Sequence, residues 1–366
     1  MQIDFHHSAT YVIARFSGFS HKHASTIAYA AQYVDDSTTD GFIHFTNGMR
    51  YRRYATSHPV IAPDNIDNDA NVMTWLPFHF IPGNVTTRSE SDLSYFRKLV
   101  CRPDSALARR MMQAARADRG RPESLHRLGI AAHVFVDTFA HQGFAGLHHP
   151  INKVSDIRDE SGAPMRAPLV PPVGHGQVGS YPDLPYLRWS YLNWEGSRIH
   201  RDNPADYLLG ANRLCEEFQR YRNKPVVGLT ASQRRALEHL FTTLTDPSGQ
   251  ARHQRWLQHA ENGSFEFGPV KLNYDPSGPN SWKQIALRHG PYWWPGGMSG
   301  FGTRAMRWMR LGARSVADSI GIEYASEYAS HARFLRSDYK KFHDAALRQR
   351  SAVLHDILPE FGIVMA

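Results

Sequence analysis

Apolar positions along this chain fall mostly at helical spacing. Ile27, Ala31 and Val34 recur at i, i+4 and i+7, a buried stripe that predicts a helix from a Ser20 cap to about Asp36. An earlier helix is expected from Ser8 to Phe16, with Gly18 at the left-handed position after its end. Residues 37–65 carry short alternating runs, Phe42-Ile43-His44-Phe45 and then Asn47-Gly48, which predict a β-hairpin. Residues 75–84 are apolar but hold two prolines, so a buried non-helical connector is expected, with His79 turned inward.

Helical pattern returns at about 89–119 and again from Pro122 to about Gln142, ahead of Gly143. Residues 146–188 contain seven prolines and little periodicity, and read as a long loop. Helices are expected at 204–223 and 230–246, an irregular aromatic-rich stretch at 247–300, and two or three helices in the last 65 residues. The class is mainly α, a multi-helix bundle with a small β-hairpin and long loops. Residues 1–220 are expected to form a helical core that includes the 146–188 loop. Residues 221–366 would be a helical extension packed on it, or part of one continuous domain.

Composition changes this picture little. Hydrophobic residues make up 42% and charged residues 21%, which places the chain among globular rather than disordered proteins. No apolar run approaches the ~20 residues of a membrane span. The opening Met1-Gln2-Ile3-Asp4-Phe5-His6-His7 lacks a basic region followed by an apolar one, so cytoplasmic location is the expectation, with signal-independent export as the other route. Cys101 and Cys215 stand far apart and in no C-x-x-C spacing, which argues against a disulfide framework and a thiolate zinc site. The net charge of +8 suits an anionic partner such as a lipid headgroup, nucleotide or nucleic acid. No dedicated DNA-binding motif is visible.

The 21 histidines carry more information through their spacing than through their number. His133, Asp137 and His141 fall at i, i+4 and i+8 on a segment that is otherwise strongly apolar. At about 100° per residue they share one helix face, and His126 lies within about 20° of the same line. Buried ionisable groups must be paired or must coordinate metal. The outer two ligands are about 12 Å apart along the axis, too far for one ion, so two neighbouring ions with Asp137 between them are expected. A buried hydrogen-bonded ladder without metal is the structural alternative. His6 and His7, Asp35 and Asp36, His79, and His175 between Gly174 and Gly176 are further candidates. Asp35-Asp36 is notable because a helix C-terminus disfavours carboxylates.

The segments Asp4-Phe5-His6-His7, Gln32-Tyr33-Val34-Asp35-Asp36, Pro77-Phe78-His79-Phe80 and His133-Val134-Phe135-Val136-Asp137-Thr138-Phe139-Ala140-His141-Gln142-Gly143-Phe144 resemble an uncharacterised bacterial family of unknown function over most of the chain. More distantly, their order resembles the zinc-dependent phospholipase C and single-strand nuclease superfamily, all-α enzymes that hydrolyse phosphate esters at a trinuclear zinc cluster. That resemblance implies His6, Asp35 or Asp36, His79, His133, Asp137, His141 and His175 as metal ligands. His7, His126 and Asp183 are possible additional ligands or supporting groups, and Asp36 is the residue expected to act on water. Asp183 is the acid nearest His175, where the superfamily has a tighter pair.

The implied cofactor is two or three Zn²⁺ ions, with Mn²⁺ or Fe²⁺ as other occupants of a mixed imidazole and carboxylate set. The implied activity is metal-dependent phosphoester hydrolysis, phospholipase C-like or nuclease-like. A non-catalytic metal-binding structural or interaction protein is the alternative. The run Arg304, Arg307, Arg310 and Arg314, interleaved with Met306, Trp308, Met309 and Leu311, reads either as a basic amphipathic helix or as a solvated face.

Overall fold

The structure, a computed structural model, describes residues 1–45, 48–59, 62–84, 95–287, 322–325 and 331–365. The chain opens with a π-helical turn, Asp4–Ala9, that runs directly into α1 (Thr10–Phe16). Ser8 therefore lies inside a helix rather than capping one, which corrects the expected start. Gly18 takes φ +84 just after α1, as a left-handed terminator should. Helix α2 (His21–Asp36) begins where Ser20 accepts a hydrogen bond from the His23 backbone N–H. The expected hairpin follows as β1 (Gly41–Phe45) and β2 (Arg50–Arg53), antiparallel to each other.

Helix α3 (Asn68–Phe78) takes in the first four residues of the segment expected to be non-helical, with Pro77 inside its last turn. The other six, His79 to Asn84, leave the helix as expected, and His79 is buried. The long helix expected at 89–119 is interrupted among its described residues. A short α4 (Tyr95–Lys98) is separated from α5 (Ala106–Ala117) by Pro103, by Asp104 at φ +50, and by Ser105, which caps α5. Helix α6 (Ser124–Ala140) starts two residues after Pro122, and every residue from His126 to Ala140 is buried. Such a helix is a core element, with no solvent face.

The 146–188 segment is less open than its prolines suggest. It contributes β3 (Ser155–Asp159) and leads into β4 (Arg188–Leu192), which pairs in turn with β5 (Arg198–Asp202). The three form an antiparallel sheet in the order β3-β4-β5, a correction to the expected loop. Polar residues fill four of the five positions in β3 and in β5, so no apolar run marks them. Beneath the sheet, Phe80, Phe144, Ile157, Val178, Trp189 and Tyr191 form a small core.

Helices α7 (Asn203–Tyr221) and α8 (Ala231–Thr243) match the expected spans closely. Helix α9 (Gly249–Glu261) lies where irregular chain was expected, followed by α10 (Trp282–Leu287). Strand β6 (Ile322–Ala325) pairs parallel to β1 and completes a second three-stranded sheet. Then come α11 (His331–Arg336) and α12 (Asp338–Ser351), which continues as a π-helical turn, Ala352–Ile357. The arginine run at 304–314 and the aromatic Trp293 and Trp294 lie outside the described residues. The chain is mostly helical with two small sheets. Among the described residues, no helix is long and apolar enough to cross a membrane.

Helix α6 is the axis of the core, contacted by α2, α3, α5, α7 and α12. Gly129 sets its closest approach. A Cβ at that position would lie 2.4 Å from the Ile27 carbonyl oxygen and 2.7 Å from the Ala30 Cβ. Without one, α2 and α6 run side by side in the same direction, which brings Asp35 to His133. The C-terminal turn of α6 is held by Arg201, which donates to the carbonyls of Phe139 and Ala140 at 3.0 and 3.1 Å. Those carbonyls have no partner within the helix; Gln142 Nε2 also donates to that of Phe139 at 2.8 Å, and Arg201 serves both.

Candidate metal centre

The α6 stripe meets four other parts of the chain in one cluster. His6 arrives on the N-terminal π-helical turn, Asp35 on the last turn of α2, and His79 just beyond α3. His175 and Asp183 come from the segment between β3 and β4. Three groups of side chains could each hold a metal ion: His6, His133 and Asp137; Asp35, His79 and His133; and His141, His175 and Asp183. Within each group the ligand atoms lie within 4.8 Å of one another. His133 belongs to two of the groups.

Asp137 lies at the middle of this arrangement. Its Oδ1 is 3.2 Å from His6 Nε2, and its Oδ2 is 3.1 Å from His133 Nε2 and 3.4 Å from His79 Nδ1. The same Oδ2 is 3.6 Å from His141 Nδ1. The α-amine of Met1 donates to Asp137 Oδ1 at 2.7 Å and lies 3.0 Å from Asp183 Oδ1. Two carboxylates, Asp137 and Asp183, thus face the Met1 ammonium, with Asp35 adding to its field from further off. His6, His133 and Asp137 are fully buried, while the side chains of Asp35 and His175 stay 33% and 19% exposed. The cluster is therefore closed around His6, His133 and Asp137 and partly exposed at Asp35 and at His175.

The ring orientations are set from outside the cluster. His133 Nδ1 donates to the Ala31 carbonyl at 2.8 Å, and His79 Nε2 donates to the Thr56 carbonyl at 2.9 Å. His141 Nδ1 donates to the His79 carbonyl at 3.0 Å, and His175 Nδ1 donates to the Gly179 carbonyl at 2.8 Å. A carbonyl can only accept, so each of these nitrogens carries the ring proton. In the neutral imidazole the other nitrogen is then a lone pair, and in all four residues it faces the cluster. His133 Nε2 and His79 Nδ1 stand 3.1 Å apart, two acceptors face to face. Nδ1 of His6 and Oδ2 of Asp137 are buried without a hydrogen-bond partner, and His6 Nε2 has only its 3.2 Å contact to Asp137 Oδ1. The Met1 ammonium answers Asp137, Asp183 and, at 3.3 Å, His141 Nε2, while the lone pairs of His133 and His79 face one another and the carboxylates; a backbone carbonyl behind each imidazole is the usual support of a metal ligand.

Electrostatics follows the same geometry. Burial opposes charge on Asp137, but His141, the Met1 amine, His133 and His6 outweigh it and hold the carboxyl well below the usual range. Asp183 is held down likewise, against burial, by the Met1 amine and His175. Burial pushes Asp35 up to about 7, with His79 opposing and Asp137 reinforcing the rise. Burial, aided by His133, lowers His6 well below its ordinary value, and burial takes His141 down to about 4. Burial also opposes charge on the Met1 amine, yet Asp137 and Asp183 raise it to about 11. Neutral imidazoles beside ionised carboxylates are the protonation state that metal binding requires.

Three residues singled out from the sequence stand elsewhere. His7 faces away from His6, with its Nδ1 3.0 Å from His253 Nε2. His126 pairs through Nε2 with Asp338 Oδ1 at 3.1 Å and lies beside the Trp282 ring. Asp36 is exposed, just outside the cluster, where Oδ2 accepts from the Gln32 amide and the Tyr274 hydroxyl. Of the paired acids, it is Asp35 that reaches His79 and His133. Asp183 joins His141 and His175 although eight positions separate it from His175. The Met1 amine has no local sequence signal, because its place depends on where the first turn docks. Gly174, at φ +49, is required next to His175, since a Cβ there would lie 2.6 Å from the Phe80 ring. Phe80 in turn stacks on His141 at 4.5 Å.

Comparison with known proteins adds a family without a chemistry. A model described as a family of unknown function (DUF6765) matches residues 1–357. No curated protein and no solved structure matches the chain.

Proposed function

We propose that this chain, which belongs to that family of unknown function, is a metal-dependent hydrolase of phosphate esters. The observation that carries the reading is the set of four imidazoles, each pinned by a backbone carbonyl and each turning its free nitrogen toward buried carboxylates. Such a set suits two or three ions of zinc, with manganese or iron as other occupants. Ions of this kind acidify water and neutralise charge on phosphate oxygens.

The residues of the chain divide the remaining work. His6, His133, Asp137 and His79 form the closed base and hold position. Asp35 and His175, partly exposed, form the open edge where substrate would enter. Asp36, next to Asp35 and bridged to it by the Gln32 amide, is the group that would act on water from just outside the ligand set. The net charge of +8 favours an anionic substrate, phospholipid headgroup or nucleotide alike. The order of ligands along the chain supports a phospholipase C-like or nuclease-like centre within the helical fold.

The full burial of His6, His133 and Asp137 favours a second reading, a metal-holding protein without turnover. Structural metal sites are closed, while catalytic ones keep a position open. Elemental analysis of the purified chain, combined with assays on phosphodiester and phosphomonoester panels, separates the two. Bound metal with turnover of any panel member supports the hydrolase. Stoichiometric metal with no turnover leaves the second reading, and metal-free protein indifferent to chelator removes both.

A further inference from the structure

We infer that helix α9 is a clamp that positions the N-terminal segment in the metal centre, with Arg252 as its positioning residue; this rests on the reading of the cluster as a metal site. Three residues on one face of α9, at i, i+3 and i+4, grip three residues of the segment. At Gly249 the helix backbone lies against Gln2, where a Cβ would come within 2.3 Å of Gln2 Oε1 and 3.0 Å of its Cβ. Arg252 Nε donates to Asp4 Oδ2 at 2.6 Å, and its Nη2 donates to Gln2 Oε1 at 2.8 Å. His253 Nε2 lies 3.0 Å from His7 Nδ1. Residues 2, 4 and 7 are thus held on one side, and His6 and the Met1 amine project from the other side into the cluster.

The chemistry of the grip argues for placement over stability. Arg252 is fully buried and Asp4 is 2% exposed. A buried ion pair loses so much hydration that well-packed apolar residues would stabilise the contact as well or better. Its distinguishing property is geometry. A planar guanidinium that also donates to the Asp246 carbonyl fixes both direction and register of what it holds. The π-helical turn needs such a constraint, because it sends His6 and His7 to opposite sides. Trp256, one turn further along α9, anchors the helix against Phe241 and Phe265.

The test uses the full chain with Co²⁺ as the metal probe. Arg252→Gln and Gly249→Ala are each titrated with Co²⁺ by visible absorption, and amide hydrogen exchange is followed at residues 5–9 and along α6. The clamp predicts that both variants stay folded with α6 protected while residues 5–9 exchange faster. It also predicts that Co²⁺ affinity falls about 10- to 100-fold at one site, the usual consequence of losing a ligand's support. Arg252→Lys, which keeps the charge but not the fork, should recover part of the affinity. Variants that are less heat-stable yet keep the wild-type Co²⁺ spectrum and stoichiometry overturn the inference, whichever of the two folds better. Wild-type chain that takes up no Co²⁺ overturns the metal reading instead. In that case unchanged exchange at residues 5–9 also overturns the clamp, and faster exchange sustains it as a mechanical coupling.

Discussion

Asp137 touches the Met1 amine and His6 through one oxygen and His79, His133 and His141 through the other. Replacing it with Asn removes the charge common to all of them while preserving shape. Asp137→Asn is expected to lower bound metal by at least half, measured by elemental analysis on folded protein; unchanged content would remove Asp137 from the ligand set. Asp35 makes a pH prediction. Its carboxyl rises from 3.8 to about 7 on folding, mainly by burial. Between those values the folded chain keeps a proton that the unfolded chain has released, so stability falls as pH rises through the window. In chelator-treated protein, the melting point of Asp35→Asn relative to wild type should therefore climb from about pH 4 to about pH 7 and level off above. A difference independent of pH would show that Asp35 is not perturbed. His141 acts with the opposite sign. Lowered to about 4 by burial, its contribution is complete above its ordinary value of 6.5 and is lost as pH falls toward 4.

At the scale of elements, the contact between α2 and α6 decides whether ligands from separate helices meet. Gly129→Ala places a methyl group against the Ile27 carbonyl and Ala30. Overpacking of this kind costs about 1–3 kcal/mol, and forcing the helices apart also withdraws Asp35 and the Ala31 carbonyl from His133. The expected result is a lower denaturation midpoint together with weaker metal binding. Loss of stability with full metal affinity would mean that the separation is absorbed elsewhere. The elements also show what a linear pattern conceals. Helix α9 buries Arg252, His253, Trp256 and Ala260, so its inward face is half polar and has no apolar stripe. Strands β3 and β5 are mostly polar, and β3 is divided from β4 by a proline-rich stretch, which masks their pairing. By contrast α2, α7 and α8 carry ordinary caps and stripes and lie close to where their sequences place them.

For the whole molecule, the metal reading has a thermodynamic consequence. A ligand that binds only the folded state stabilises it by about 2.7 kcal/mol when present at 100 times its dissociation constant. Scanning calorimetry with and without a strong chelator should show the midpoint fall on metal removal and recover on adding Zn²⁺. A midpoint insensitive to both would place the stability of the fold entirely in its apolar core. The parts that would respond are spread along the chain, since the cluster draws on residues from His6 to Asp183 and is braced by Arg252.

The sequence alone determined the local features of this protein. The i, i+4 and i+8 spacing of His133, Asp137 and His141 follows from helix geometry within one segment, so it was legible without any partner. The apolar surroundings of that segment likewise dictated burial, and with it the need for a compensating charge. Tertiary structure decided the rest, because each remaining choice depends on atoms distant in the chain. Asp35 rather than Asp36 reaches the histidines because of how α2 lies against Gly129. His7 and His126 turn away because His253 and Asp338 offer them partners. The direction of each imidazole lone pair is set by the carbonyls of Ala31, Thr56, His79 and Gly179, groups that every residue carries and no side-chain pattern can announce.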